Sequence, residues 1–229
     1  MKIKIKDLIE FAGYSDRRKS NLVERLRLPA AAVEEIEVSE GGGDYWVRCI
    51  SAIKASCKEN DLSFILQKID DINNDRQNTQ HRPTIDKYDR NLRILHNFSS
   101  YNFLDFFPEQ FELLEKTVKE GELQIGDFDL KAKIHIPFSF EEDGIEKVGA
   151  ILFVARKDRY TKSELGIFAE LMYRFVEANY SDNYQVAPEH ILVVDVTSTE
   201  SLNYASVLNG QVPSQLNNTL NEIQRLLRY

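Results

Sequence analysis

The stretch from about Ile125 to Val196 constrains this chain more than any other, because its hydrophobic period changes along its length. From Lys131 to Phe138, Ala132, Ile134, Ile136 and Phe138 alternate with Lys133, His135 and Pro137. A period of two residues is the mark of a strand with one buried face. Glu141-Glu142-Asp143-Gly144 then reads as a polar turn. Val148 to Ala155 is unbroken and apolar, as in a strand covered on both faces. Thr161-Lys-Ser-Glu164 has the spacing of a capping box, in which the threonine accepts from the backbone and the glutamate reaches back. The helix it opens, 162–179, carries Leu165, Phe168, Leu171, Met172, Phe175 and Val176 on one stripe and is expected to lie on the sheet. A crossover loop from Tyr180 to Glu189 leads into a second buried strand, Ile191 to Val196. An edge strand around Tyr204 to Leu208, a turn at Asn209-Gly210 and a last helix capped by Ser214 complete this half.

The residues before this stretch read as helical. Two short helices surround Gly13 between residues 6 and 28, the second capped by Ser15 or Asp16. That second helix sets Leu22, Val23 and Leu26 against Arg17, Arg18, Lys19, Arg25 and Arg27. It is open to two readings: a helix-turn-helix entering a major groove, or a solvated basic face on a terminal hairpin. Ala30 to Val38 reads as either a short helix or a strand, and Gly41-Gly42-Gly43-Asp44 as a loop ending in an N-cap. Trp46, Cys49, Ile50, Ile53 and Cys57 form a core stripe on a helix over 45–58, and a further helix covers 61–71. Asn73 to Pro83 has no apolar residue and reads as an exposed loop. A helix follows from Ile85 to Phe98, then the aromatic run Phe98, Tyr101, Phe103, Phe106, Phe107 and Phe111, expected to dock the helices on the sheet. Glu112 to Lys119 looks helical. The expected fold is α+β: a mainly helical region, 1–121, packed on a mixed sheet of three to five strands in 122–229. The boundary is soft, and one continuous domain remains open.

At 229 residues the chain needs no disulfide staple, and its two cysteines, Cys49 and Cys57, stand outside any Cys-x-x-Cys pattern, as buried reduced thiols would. A net charge of -8 argues against a surface that coats nucleic acid or an anionic membrane, while leaving room for a local basic site. No apolar run approaches a membrane span, and Met1 to Lys6 has no hydrophobic stretch behind it, so a cytoplasmic location is expected. Four scattered histidines argue against zinc, and the glycine-rich phosphate loops, the nucleophile elbow and the His-Glu-x-x-His pattern are absent from the sequence.

Asp127-Phe-Asp129-Leu-Lys131 is the stretch with the most chemistry in it. Alternation would put Asp129 and Lys131 on one strand face. Asp-x-Lys beside a strand resembles the PD-(D/E)xK nuclease pattern, with Pro108-Glu109 standing where its first half would be. The resemblance implies that Asp127, Asp129 and Glu109 are candidate catalytic carboxylates, Asp129 holding Mg²⁺ while Lys131 positions the attacking water. The competing reading is a solvated turn entering an edge strand. Lys133 and His135, beside Arg156 and Lys157 of the next strand, are candidates for a small phosphate-binding patch. Asp195 lies in an apolar strand, where an unpaired carboxylate is expensive, so it is expected either at the strand end or with a partner, for which Arg156 or Lys157 would suit. The functional expectation is a non-enzymatic protein-binding or regulatory module that needs no cofactor. The alternative is a Mg²⁺-dependent nuclease, or a nucleic-acid binder derived from one.

Overall fold

The computed structural model describes residues 1–28, 45–115 and 120–228. Through these the chain runs β1 (Lys2–Ile3), α1 (Ile5–Glu10), a 3-10 turn (Phe11–Gly13), α2 (Asp16–Arg27), α3 (Val47–Glu59), α4 (Ser63–Gln77), α5 (Arg82–Phe98) and a second 3-10 turn (Phe103–Phe106). The second half follows as β2 (Glu112–Leu113), β3 (Glu120–Ile125), β4 (Phe128–Lys133), β5 (Ile136–Glu142), β6 (Ile145–Val154), α6 (Lys162–Tyr180), β7 (Gln185–Asp195), β8 (Ser201–Asn203), α7 (Tyr204–Leu208) and α8 (Leu216–Leu227). The readings of Ala30 to Val38, of Gly41 to Asp44 and of a helix reaching Lys119 fall outside the described residues. Among the described residues no helix is long and apolar enough to cross a membrane.

The fold is α+β, with two mixed sheets. The larger has the order β2-β5-β6-β7-β8 and the smaller β1-β4-β3. The β5–β6 hairpin closes through Asp143 and Gly144, both left-handed at φ 55° and 75°. That geometry matches the right-handed twist of the strands it joins. α6 carries the chain from β6 to the parallel β7, and both bonds of the Thr161–Glu164 capping box are present. Both faces of β6 are covered. Ile151 and Phe153 pack under α3, α4 and α5, while Ala150, Leu152 and Val154 pack under α6. The aromatic run joins the helical layer to the sheet, with the Phe106 and Phe107 rings 6.2 Å and 5.0 Å from those of Phe153 and Phe138. A third core holds β1, α1, α2, β4, the far side of α6, and α8. Among the described residues, the buried side chains of 1–28 in this core therefore pack with the sheet region and α6 and α8, apart from the core under α3 to α5.

Several elements depart from the sequence reading. Lys131 to Phe138 is two strands in different sheets, broken at Ile134-His135. The alternation runs through the corner because Ala132 and Ile134 enter one core and Ile136 and Phe138 another. At the corner the Phe153 N–H donates to His135 Nδ1 at 3.1 Å, so a ring nitrogen serves as an acceptor beside the ladder. The polar run Asn73 to Gln77 is the last turn of α4. Ile72 anchors it, Asp75 and Arg76 reach Arg48 and Asp89 on the flanking helices, and Pro83 sits in the first turn of α5. Glu112-Leu113 is an edge strand opposite Ser139 and Phe138. β7 starts at Gln185, inside the expected loop, and shifts register between Val186 and Ile191. Pro188, with no N–H to donate, lies in that bulge. Tyr204 to Leu208 is a helix capped by Asn203, and Ser214 donates to the buried Glu170 instead of capping α8.

Candidate functional site

The site begins where β1 leaves β4. Lys2 and Ile3 pair in parallel with Asp129 and Leu130, and the Asp129 N–H donates to the Met1 carbonyl at 2.7 Å. One residue later the backbone turns into α1, which sinks Leu8 and Ile9 into the third core. β1 and β4 therefore diverge like the arms of a fork. Between them opens a cleft of about 560 Å³. Ile3, Ile9, Leu26, Ala132 and Phe168 make an apolar lining. Lys2, Lys4, Lys6, Arg25, Lys131 and Lys133 line it as well, six basic side chains against the carboxylates of Glu10, Glu122 and Asp129.

Some of these charges are paired. Lys2 meets Glu122 at 3.0 Å, Arg25 meets the buried Asp7, and Asp129 accepts from the Met1 ammonium at 3.2 Å. Lys6, Lys131 and Lys133 are exposed, and among the described residues none of them forms an ion pair. β4 alternates strictly: Phe128, Leu130 and Ala132 are buried, and Asp129, Lys131 and Lys133 share the other face. Tyr160 closes one side of the cleft, its hydroxyl pushed up to about 12, chiefly by burial, and so protonated at neutral pH.

The structure thus brings Asp129, Lys131 and Lys133 to one place and takes the other sequence candidates elsewhere. Asp127 sits in the β3–β4 turn and accepts from Gln224 of α8 at 2.7 Å. Glu109 follows Phe107, which belongs to the core under α3–α5, and precedes β2 of the larger sheet. Among the described residues no group of three or more His, Cys, Asp or Glu side chains could hold a metal ion. His135 is engaged at the corner. Arg156 forks onto Glu164 at 2.7 and 3.0 Å, donates to the Asp158 and Arg159 carbonyls and lies over the Tyr160 ring at 4.3 Å. Its neighbour Lys157 is exposed.

Asp195 ends a strand, one of the two placements expected of it, and among the described residues its carboxylate has no basic partner. Its carboxylate accepts from Tyr160 N–H, Thr197 N–H and Ser198 Oγ, at 3.0, 2.9 and 3.0 Å. Of the five basic side chains of α2, three are turned to internal use, Lys19 pairing with Glu222, Arg25 with Asp7, and Arg27 donating to carbonyls at the end of α8, while Arg17 and Arg18 stay exposed, Arg18 lying over the Tyr14 ring. Burial pushes the Cys49 and Cys57 thiols up to about 12. The residues that sequence reasoning passed over are Lys2, Lys4 and Lys6. Their alternation with Ile3 and Ile5 was the available signal, a two-residue period at the very start of the chain. Comparison with protein-family models, curated proteins and solved structures gave no match for this chain.

Proposed function

We propose that this chain is a non-enzymatic binding module, and that it recognises an anionic segment of a partner protein in the cleft between α1 and β4. The observation that carries this reading is the local excess of basic side chains over an apolar lining, in a chain whose net charge is -8. Beyond a Debye length of roughly 8–10 Å the acidic whole is screened, so the cleft's own charges govern what enters it. Apolar lining favours a partner that brings side chains to bury, which a carboxylate-bearing polypeptide does and a phosphodiester backbone does not. Two buried thiols without a disulfide fit a reducing compartment, and a cytoplasmic partner is the reading we adopt.

The test is capture from host lysate, with and without nuclease treatment, by the full chain and by the Lys131→Glu/Lys133→Glu double variant, with circular dichroism confirming that both are folded. A protein recovered in near-stoichiometric amount by the first and lost by the second supports the reading. Equal recovery by both, or recovery of nucleic acid alone, overturns it. A second reading, the Mg²⁺-dependent nuclease, has one observation in its favour: Asp129 and Lys131 share a strand face in a cleft. Metal-dependent cleavage that disappears in a folded Asp129→Ala variant would replace the first reading with the second.

A further inference from the structure

We infer that the partner segment enters the cleft as an added β-strand on β4, taking up the line that β1 abandons. The inference rests on the binding-module reading above and specifies its mode. β3 pairs with β4 along its whole length, from Ile125 opposite Phe128 to Glu120 opposite Lys133. β1 pairs only as far as Leu130. Over Lys131 to Lys133, then, β4 has a strand on one side, and among the described residues none on the other, where the cleft lies. The parallel register that sets Ile3 against Leu130 gives the Lys131 N–H to the Ile3 carbonyl, so the edge left to another chain begins at the Lys131 carbonyl, and a strand edge of this kind is a template for an added strand.

The pleat of β4 dictates what that chain should look like. Neighbouring strands in a sheet point corresponding side chains to the same face. One face of an added strand would continue the buried row of Leu130 and Ala132, and asks for apolar residues. The other would lie beside Lys131 and Lys133, which form no ion pair among the described residues, and asks for carboxylates. Opposite charges across adjacent strands are favourable and like charges are not. The occupant is therefore a short extended segment in which glutamate or aspartate alternates with an aliphatic residue. The edge on offer is about 10 Å long at roughly 3.3 Å per residue, so the contact is brief and its backbone hydrogen bonds few.

The experiment titrates the full chain with a capped synthetic peptide, Val-Glu-Ile-Glu-Val, and follows backbone amide shifts by NMR. Parallel arms use the same peptide N-methylated at single alternate positions, and one with lysine in place of glutamate. Expected are saturable shifts at Lys131 to Lys133, about tenfold weaker binding when the methyl group blocks the edge facing β4, little change when it blocks the other edge, and no saturation by the lysine peptide. Binding indifferent to methylation at every position overturns strand addition and leaves the anionic-segment reading standing. No binding by the parent peptide overturns both. Self-association of the chain that the Lys131→Glu/Lys133→Glu variant removes would assign the edge to a second copy, and overturns the partner segment as its occupant.

Discussion

Asp195 offers the sharpest test of how the sheet region is held, because its burial is complete and its partners are few. Its two oxygens receive two backbone amides and a hydroxyl, from the residue before the α6 capping box and from the turn after β7. Its own N–H donates to the Glu200 carbonyl at 2.9 Å, closing that turn around Thr199, which is held at φ 61°. In Asp195→Ala all three donors lose their acceptor. A hydrogen bond to a charged group contributes about 1.5–3 kcal/mol, and the donors nearer solvent recover part of it from water. The expected loss is therefore about 3–5 kcal/mol, a large share of the roughly 5–15 kcal/mol that holds a domain folded. Asp195→Asn keeps the shape and one oxygen but sets an amide against a donor, and should lose less, about 1–3 kcal/mol. Urea denaturation read by the single tryptophan, Trp46, and by circular dichroism measures both, provided the slopes stay equal. A loss below about 1 kcal/mol in the alanine variant, or an asparagine variant worse than it, refutes the assignment. A double-mutant cycle with Arg156→Met adds a control. Strong coupling there would restore the ion pair expected from the sequence.

Three further outcomes follow from the same structure. A Cβ on Gly149 would stand 2.5 Å from Phe138 Cζ and 2.8 Å from His190 Cβ, so Gly149→Ala should lose about 1–3 kcal/mol; a melting temperature like that of the parent would contradict the close approach. Burial alone would raise the Glu164 carboxyl, but the Arg156 fork and the Thr161 bonds outweigh it and hold it below its ordinary value of 4.5. A depressed folded-state value stabilises above the unfolded value and is lost as pH falls through the folded one, so the gap in urea midpoint between parent and Glu164→Gln should be full near about pH 7 and narrow below about pH 4. With both thiols pushed up to about 12, Ellman's reagent at about pH 8 should label neither cysteine before unfolding and both afterwards; fast labelling of the native chain would refute their burial.

What the sequence made legible is what local chemistry decides. The capping box at Thr161, the turn at Asp143-Gly144 and the unbroken run of β6 each carry their signal within a few residues, and all three stand in the structure. What it concealed is decided by distant partners. The corner at Ile134-His135 is invisible because burial continues on both sides of it. The polar end of α4 is helical because Arg48 and Asp89 wait for it on other helices. β1 is two residues long and exists only because β4 receives it. The site divides in the same way. Asp129, Lys131 and Lys133 could be set on one face from alternation alone. That they meet the first turn of the chain across an apolar cleft depends on a parallel pairing between residues more than a hundred positions apart, for which the sequence carries no local mark.

That division suggests how to tell a binding site from an accident of folding. Lys6, Lys131 and Lys133 are exposed and form no ion pair among the described residues, and they face a cleft where basic side chains outnumber acidic ones two to one. Like charges held together repel, so these lysines should contribute nothing to stability and subtract a little from it. A residue kept for packing behaves otherwise: removing it lowers the melting temperature. Lys131→Gln/Lys133→Gln should therefore melt at the parent's temperature or slightly above it, more clearly so at low salt, while its affinity for the acidic peptide falls. Stability and binding would then move in opposite directions, as they do where function retains groups that folding does not need. A variant that melts well below the parent in low salt would show instead that the lysines hold the fork open by structural contacts and are kept for the fold.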